Sequence, residues 1–410
     1  MKEGKHFPLS LIRHKKVLAI NLALFALIFS AAGIAFDFIK HGSLFPKAKH
    51  GLIKEHRGNH QSNSIAEDPE SYSCFSSHAY FGYINSCTLT TSKGFLKEHS
   101  LKENKLLKKN NSLRILVVGG SVASHLTRRT SIEEVLQAKL NLDATLKNQF
   151  PGGISVFNAA HGGYKQPQQL IIISTLLSAG YQFEGIINVA GFNEIALPIA
   201  ENFPQRISTI LPRSQLLLES KEFVLHGPFR HIIAPLNLHP VTRAIGHLIA
   251  KRFATAYAAT STKPYQFDLP NSEQQAINQA RRVWITSSQL SYAVATSGKA
   301  AYLEYIQPNQ YVPNSKPLTT REIAIAHSPA NEQPYRLPIE NFYSNIKKSD
   351  FGIPEQSIAD GRMIFREDNR SLYNDDCCHL NGTGMTLLAN DIADHALRLI
   401  KQKPWIAKTN

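Results

Sequence analysis

A serine follows two glycines at the end of a short apolar run. Val117 and Val118 lead into Gly119, Gly120 and Ser121, and this order predicts a buried strand that turns tightly into a helix. The serine hydroxyl is then exposed, and the helix N-terminus supplies N–H groups where an oxyanion would form. The pattern fits a nucleophilic serine, but two glycines and a serine after a strand are more often an ordinary strand-to-helix turn with a capping residue. A dinucleotide or phosphate loop is excluded because the third glycine and the Gly-Lys-Ser/Thr ending are missing.

A second cluster of polar residues lies near the C-terminus, at positions 374–382, just before a predicted helix. Asp376 and His379 are three residues apart there. In a loop, this spacing allows a carboxylate to orient an imidazole whose other nitrogen faces a serine. Asp375 is a competing carboxylate, but the spacing favours Asp376. A helix-capping aspartate beside a surface histidine is the alternative interpretation.

Two further blocks follow predicted strands: Asn-Ala-Ala-His-Gly-Gly-Tyr at 158–164 and Gly-Phe-Asn-Glu at 191–194. The carboxyl ends of parallel strands meet at one edge of a sheet, so both blocks are expected beside the serine turn. In chain order, the serine turn, the glycine turn, the G-x-N-[DE] block and the D-x-x-H-L-N block resemble the SGNH (GDSL-type) hydrolase superfamily. The resemblance covers roughly residues 113–399, apart from most of an insertion.

The resemblance implies a role for each site residue. Ser121 would be the nucleophile, His379 the general base and then the general acid, and Asp376 the residue that orients His379. The oxyanion would be bound by the backbone N–H groups of Ser121 and Gly163 and by the side-chain amide of Asn193. No cofactor and no metal is expected.

The sequence departs from the family pattern at several positions. Where the family usually has Gly-Asp-Ser, this chain has glycine, Gly120, at the central position. Where the family usually has Asn-Asp, this chain has Glu194 at the second position. Both substitutions spare the reacting groups. Cys377 and Cys378 stand between the aspartate and the histidine, where a disulfide would alter the loop.

The elements that must position these residues alternate between strand and helix. Apolar and helical periodicities predict strands at 114–118, 154–157, 185–189 and 301–306, and helices at 130–147, 167–179 and 383–399. The alternation predicts an α/β fold, a three-layer α/β/α sandwich with a central, mainly parallel sheet. The active site is expected at the edge formed by the carboxyl ends of the strands.

Composition divides the chain of 410 residues into successive parts. Residues 1–16 form a basic tail, 17–36 an apolar stretch, and 37–112 a polar stalk with a short aromatic segment. The catalytic domain is predicted at 113–402, with an insertion at about 200–297 that could form a lid or a substrate-selecting wall.

The apolar stretch 17–36 is long enough to cross a bilayer once. Basic residues precede it, so the N-terminus is expected in the cytoplasm and the catalytic domain on the outer side of a bacterial inner membrane. A cleavable signal peptide is the alternative, because Ala31-Ala32-Gly33 offers a small-x-small cleavage site.

The formal charge of +14 is interpreted as membrane proximity, with a generally basic surface as the alternative. Nucleic acid is not expected as a partner, because no basic run is interleaved with aromatic residues. Among the four cysteines, Cys74 with Cys87 is the preferred disulfide pair. Zinc at Cys377, Cys378 and His379 is disfavoured because adjacent cysteines lack the C-x-x-C spacing.

The chemistry predicts a serine-dependent esterase or O-acyltransferase acting on an ester, such as an O-acetyl group, of a cell-envelope glycan or lipid. Hydrolysis and transfer share one acyl-enzyme and differ in whether water or a sugar hydroxyl reaches it. A noncatalytic envelope-binding or assembly protein with the same fold is the alternative. The sequence indicates no particular protein partner.

Overall fold

The computed structural model describes most of the predicted catalytic domain. The described residues are 75–78, 80–85, 101–128, 130–204, 206–212, 269–327 and 336–403. The predicted basic tail, the apolar stretch 17–36, both Cys74 and Cys87, and residues 213–268 of the predicted insertion lie outside them. Within the described ranges, no helix combines the length and apolar character that a bilayer crossing requires.

The main sheet has five parallel strands, which confirms the predicted α/β class with a mainly parallel sheet. They are β3 (Leu113–Gly119), β4 (Ile154–Asn158), β5 (Gly185–Ala190), β6 (Ala301–Ile306) and β7 (Ile358–Asp360). Their spatial order is β4-β3-β5-β6-β7. Val117 of β3 pairs with Asn158 on one side and with Ile187 on the other. The direction in which strands are added therefore reverses at β3, and open sheets of this kind bind ligands at such a point.

A short antiparallel hairpin precedes the sheet, formed by β1 (Phe75–His78) and β2 (Gly82–Asn85). The helices are α1 (Leu101–Lys109), α2 (Ser121–Arg128), α3 (Ile132–Leu142), α4 (Ala144–Gln149), α5 (Gln168–Ser178), α6 (Phe192–Leu197), α7 (Glu273–Ser297), α8 (Thr320–Ala326), α9 (Arg336–Asn341) and α10 (Gly382–Lys401). One π-helical turn, Pro198–Asn202, follows α6 directly, and 3₁₀ turns lie at Tyr343–Asn345, Lys348–Phe351 and Glu355–Ser357.

Both faces of the sheet are buried, because successive side chains of a strand point to opposite sides. Ile115 and Val117 join one apolar cluster, which includes residues of α2, α3 and α10. Leu116 and Val118 join the other cluster, which includes α5 and the hairpin. Helices cover the sheet on both sides, so the polar loops at the strand ends are left for chemistry.

The predicted helix at 130–147 is divided in two. Asp143 has an extended backbone, and its carboxylate accepts a hydrogen bond from Leu146 N at 3.1 Å, which caps α4. Lys401 Nζ lies 2.8 Å from the same carboxylate. Aspartate competes for backbone N–H groups in this way, so it is favoured at a helix start over a helix interior.

Helix α7 lies within the range that the sequence suggested as an insertion. It has 25 residues, begins at the capping Ser272, and packs against β6 and α5. Its Trp284 is fully buried in the core. The final part of the range 200–297 therefore belongs to the layer of helices on the sheet.

A buried polar cluster links α7 to the centre of the sheet. The Glu304 carboxylate accepts hydrogen bonds from Trp284 Nε1 at 2.8 Å, from Asn188 Nδ2 at 2.8 Å and from the Tyr302 hydroxyl at 2.5 Å. Burial raises the pKa of the Glu304 carboxyl to about 7, although these donors oppose the shift. Burial therefore destabilises the charged carboxylate by more than these three hydrogen bonds stabilise it.

The stability of the fold should consequently depend on pH through Glu304. Its pKa is higher in the folded protein than the ordinary 4.5, so its contribution is fully present below about pH 4.5 and is lost as the pH rises through 7. The free energy of unfolding should decrease by up to roughly 1.4 kcal/mol per pH unit in this window. Denaturant titrations followed by circular dichroism from pH 5 to 8 would measure the slope. The Glu304→Gln variant, which resembles the neutral acid, should reduce the slope, and an unchanged slope would contradict the assignment.

Candidate active site

Ser121 lies where β3 ends and α2 begins, at the point where the sheet order reverses. Gly119 before it has φ +141°, and a Cβ there would lie 2.3 Å from the carbonyl oxygen of Val189 on β5. Both facts require glycine, because the left-handed region and the close approach exclude a side chain. The tight turn starts α2 at the serine, as the sequence predicted.

His379 is brought to Ser121 from 258 residues along the chain. Its Nε2 atom lies 2.6 Å from Ser121 Oγ, within hydrogen-bond distance. The histidine is in a loop just before α10, and the loop is closed by an antiparallel bridge between Tyr373 and Leu380. A hydrogen bond of 2.9 Å from Asn374 N to His379 O tightens it. The structure thus brings together the two side chains, Ser121 and His379, that the sequence singled out.

The carboxylate that contacts the imidazole belongs to Asp375, which corrects the prediction of Asp376. Oδ2 of Asp375 is bonded to His379 Nδ1. Oδ1 accepts backbone N–H bonds from Cys377 at 3.0 Å, from Cys378 at 3.1 Å and from His379 at 3.1 Å.

The physical reason for the correction is the shape of this turn. An aspartate that accepts amides two to four residues ahead folds the chain back over its own carboxylate, and this brings the imidazole four residues on to the other oxygen. Asp376 instead offers its backbone carbonyl, which accepts a hydrogen bond from the Tyr311 hydroxyl.

The electrostatics of the turn suit a base at His379. Burial would raise the pKa of the Asp375 carboxyl, but hydrogen bonds from the His379 ring and from the backbone amides hold that pKa below its ordinary value. Asp375 is therefore ionised at neutral pH. A carboxylate opposite Nδ1 keeps the proton on that nitrogen, which leaves Nε2 to accept the serine proton.

Three consecutive side chains after β6 hold the backbone of this turn. Each donates a hydrogen bond to a different carbonyl: Asn309 Nδ2 to Cys377 O at 3.1 Å, Gln310 Nε2 to Asp375 O at 2.7 Å, and the Tyr311 hydroxyl to Asp376 O. Carbonyls in an irregular loop have no ladder partner, so side chains must satisfy them when they are buried. Sequence reasoning did not reveal these contacts.

The start of the same loop is anchored by Glu322 of α8. One carboxylate oxygen accepts the backbone N–H groups of Leu372 at 2.8 Å and Tyr373 at 3.0 Å. The other oxygen bonds Lys316 Nζ at 3.0 Å and Thr319 N at 2.9 Å. Lys316 and Glu322 are both buried, and each satisfies the other's charge.

The predicted oxyanion donors come from segments that meet beside Ser121. Asn193 Nδ2 donates to Tyr164 O at 2.8 Å, and the amide nitrogen carries a second N–H besides this one. A Cβ at Gly120 would lie 2.2 Å from Asn193 Nδ2 and 3.3 Å from Tyr164 O. Gly163, with φ +76°, directly precedes Tyr164. The structure thus brings the Asn193 amide and the Gly163 turn against the residue preceding Ser121.

The Glu194 side chain links the segment that contains Asn193 to the segment that follows Tyr164. Its buried carboxylate accepts hydrogen bonds from Gly191 N at 2.6 Å, Gln166 N at 3.2 Å and Gln169 Nε2 at 3.0 Å. Burial raises the pKa of the Glu194 carboxyl, while these donors oppose the shift. The side chain connects the turn before Asn193 to the segment that follows Tyr164, a role that sequence reasoning did not reveal.

The N-terminal hairpin forms a wall behind the glycine turn. The Tyr83 hydroxyl donates to Gly162 O at 3.0 Å, and the Tyr164 hydroxyl donates to Tyr83 O at 2.6 Å. Gln168 Nε2 donates to Phe81 O, also at 2.6 Å. Sequence reasoning missed these contacts because the partners are about 80 residues apart and follow no local pattern.

Metal-binding side chains occur within the site itself. In the part of the chain that the structure describes, the donor atoms of Cys377, Cys378 and His379 lie within 4.8 Å of one another. Both ring nitrogens of His379 are already engaged, one by Ser121 and one by Asp375. A metal would have to compete with the proton transfer that this arrangement favours.

Comparisons with known proteins identify no family. No family model matches the chain, and no curated protein matches it. Among solved structures, an acetyl xylan esterase, AlAXEase, is similar with a TM-score of 0.34 and 14% identity, over 69% of this chain and 98% of that chain. A likeness at this level leaves the interpretation of the site to its own geometry.

The correction from Asp376 to Asp375 can be tested by matched substitutions. Asp375→Asn should lower kcat by about 10⁴, because the amide favours the wrong tautomer of the partner imidazole. Asp376→Asn keeps both the carbonyl that Tyr311 binds and the Asp375 contact to His379, and should therefore lower kcat far less than Asp375→Asn does. Turnover of an aryl acetate measures both. An equal loss in the two variants would contradict the assignment.

The close approach of Gly120 and Asn193 gives a second test. Gly120→Ala places a methyl group where the Asn193 amide lies, so turnover should fall by roughly two to three orders of magnitude, as for loss of one oxyanion donor. Gly382→Ala is the control, because a Cβ there meets nothing within 4 Å. Kinetics with folding checked by circular dichroism would separate the outcomes, and near-normal kcat in Gly120→Ala would count against Asn193 as a donor.

Proposed function

We propose that the chain is an SGNH-type serine esterase or O-acyltransferase that forms an acyl-enzyme on Ser121. The observation that carries the proposal is the continuous contact from Ser121 Oγ to His379 Nε2 and from His379 Nδ1 to Asp375. A serine hydroxyl is a weak nucleophile until a base accepts its proton, and this arrangement supplies an oriented base.

In the proposed reaction, Ser121 Oγ attacks the acyl carbonyl while its proton passes to His379 Nε2. The ionised Asp375 stabilises the imidazolium that forms. The negative oxygen of the tetrahedral intermediate is bound by the backbone N–H groups of Ser121 and Gly163 and by the Asn193 amide. His379 then protonates the leaving alcohol, and the acyl group remains on the serine.

The second half of the reaction reverses these roles. A water molecule or a hydroxyl group of an acceptor gives its proton to His379 and attacks the acyl-enzyme, which releases either an acid or a new ester. We propose that the acyl group, such as acetyl, is carried by a glycan or lipid of the cell envelope, with the catalytic domain outside the inner membrane. The apolar stretch 17–36 and the charge of +14 support this location.

The proposal is tested at the nucleophile. A fluorophosphonate probe should label Ser121, and Ser121→Ala should abolish both the labelling and the turnover of an aryl acetate, leaving at most the residual catalysis of the oxyanion donors. Ser124→Ala, a buried serine one turn further along α2, is the matched control and should retain both activities. Peptide mass spectrometry would locate the label.

A noncatalytic binding protein gives the opposite pattern. A folded chain that resists the probe under several conditions, and that retains an envelope glycan after Ser121→Ala, would overturn the enzymatic proposal. If the probe labels Ser121, incubation with an acyl donor and a glycan distinguishes the two reactions, because transfer adds mass to the glycan and hydrolysis releases only the acid.

A further inference from the structure

Two cysteines lie within the turn that holds the Asp375 carboxylate. Cys377 and Cys378 are free thiols, and their Sγ atoms are 3.0 Å apart. A disulfide bond is about 2.05 Å long, so closing one requires roughly 1 Å of movement. Cys377 is half-buried, whereas Cys378 is 1% exposed. A small reagent would therefore reach Cys377 first.

The peptide units of these cysteines carry the bonds that position Asp375. Cys377 N and Cys378 N both donate to Asp375 Oδ1, at 3.0 and 3.1 Å. Cys377 O accepts the hydrogen bond from Asn309 Nδ2 at 3.1 Å. The peptide unit between the two cysteines thus contains the Cys378 N–H, which binds the Asp375 carboxylate, and the Cys377 carbonyl, which Asn309 binds.

A disulfide between adjacent residues would disturb this peptide unit. Consecutive Cα atoms are only 3.8 Å apart across a trans peptide, whereas disulfides ordinarily join Cα atoms 4.4 to 6.8 Å apart, so the small ring closes only with local distortion. The unit that must distort carries the Cys378 N–H and the Cys377 carbonyl. Ring closure would therefore displace the Asp375 carboxylate from His379.

We propose that Cys377 and Cys378 form a redox modification site, at which a small-molecule disulfide converts the dithiol to a vicinal disulfide and thereby reversibly inactivates the Ser121 site. The effect on activity depends on the proposed esterase or acyltransferase function, whereas formation of the disulfide does not.

The chemistry balances as two thiol–disulfide exchanges. The Cys377 thiolate attacks the oxidant R–S–S–R, which forms a mixed disulfide and releases one R–S⁻. The Cys378 thiolate then attacks the Cys377 sulfur of that mixed disulfide, the new S–S bond forms, and the second R–S⁻ leaves. The protein loses two protons and two electrons, and the oxidant is reduced to two thiols. A dithiol reductant reverses both steps, and strained disulfides are the more readily reduced ones.

The surroundings set the speed of this modification. Burial raises the pKa of the Cys377 thiol well above its ordinary value, so the thiol is protonated at neutral pH. Because the thiolate is the attacking species, modification should be slow at pH 7 and faster at higher pH.

The experiment uses the full chain in detergent with Cys74→Ser and Cys87→Ser, so that only this pair of thiols remains among the four cysteines. Oxidised glutathione is the probe, and each sample is compared with its own dithiothreitol-reduced state. The peptide containing both cysteines should lose about 2 Da, the mass of two hydrogens. Aryl acetate turnover and fluorophosphonate labelling should fall at least about tenfold, as expected when the carboxylate is misplaced, and should recover with dithiothreitol.

The Cys378→Ser variant in the same background is the matched control. It keeps the thiol that is attacked first but cannot close the ring, so it should retain a glutathione adduct on Cys377 and show no loss of 2 Da. Absence of the mass loss in the chain with both cysteines would overturn the modification site. A complete mass loss with turnover within about twofold of the reduced state would overturn the inactivation.

A separate measurement distinguishes failure of the function from failure of the site. If the reduced chain neither labels nor turns over substrate, the proposed function fails, and amide resonances of chain labelled with ¹⁵N-cysteine and ¹⁵N-histidine still report on the turn. Oxidation should shift the Cys378 and His379 amides, because both donate to Asp375 Oδ1. Unshifted resonances in a chain that has lost 2 Da would show that the disulfide leaves the carboxylate in place.

Discussion

The carboxylate of Asp375 is bound from two directions, and the candidate site depends on this. One oxygen accepts three backbone N–H bonds from its own turn, and the other faces the His379 ring. A carboxylate with several amide donors keeps its charge and cannot rotate without losing all of them. It acts as a fixed negative charge that favours one tautomer and one orientation of the imidazole, and the imidazole in turn contacts the Ser121 hydroxyl.

A turn of this kind does not hold its shape alone. Ordering each residue costs about 1 to 2 kcal/mol in backbone entropy, and a typical hydrogen bond returns about 1 kcal/mol, so an irregular loop needs support from outside. Side chains of residues 309–311 bind its carbonyls, and the buried Glu322 binds the amides where it begins. Both supports follow β6 in the chain. The position of His379 is therefore set by segments that follow β6, while the position of Ser121 is set by the end of β3.

The parts of this site that follow local rules could be predicted from the sequence. A β-branched run before Gly119, Gly120 and Ser121 predicts strand, turn and helix, because each residue constrains its own backbone. The choice between Asp375 and Asp376 could not be made by counting residues, since it depends on how one turn folds over its own carboxylate. The contacts of Tyr83 and of Tyr311 could not be predicted either, because no local sequence pattern distinguishes a tyrosine whose hydroxyl donates to a carbonyl far away in the chain. The strand β7 has only three residues, too few to show a period.

Gly120 and Glu194 lie behind Ser121 and Asn193, and both affect the space around the Asn193 amide. Gly120 has no side chain, and the Asn193 amide occupies the volume that a Cβ would fill. Glu194 reaches both the Gly191 amide and the segment of Gln166 and Gln169, a span that favours a glutamate over the shorter aspartate. Both residues therefore affect the site through the position of the Asn193 amide, without any contact of their own to a substrate. The relative positions of the hydroxyl, the imidazole and the amides thus depend on residues that lie behind them.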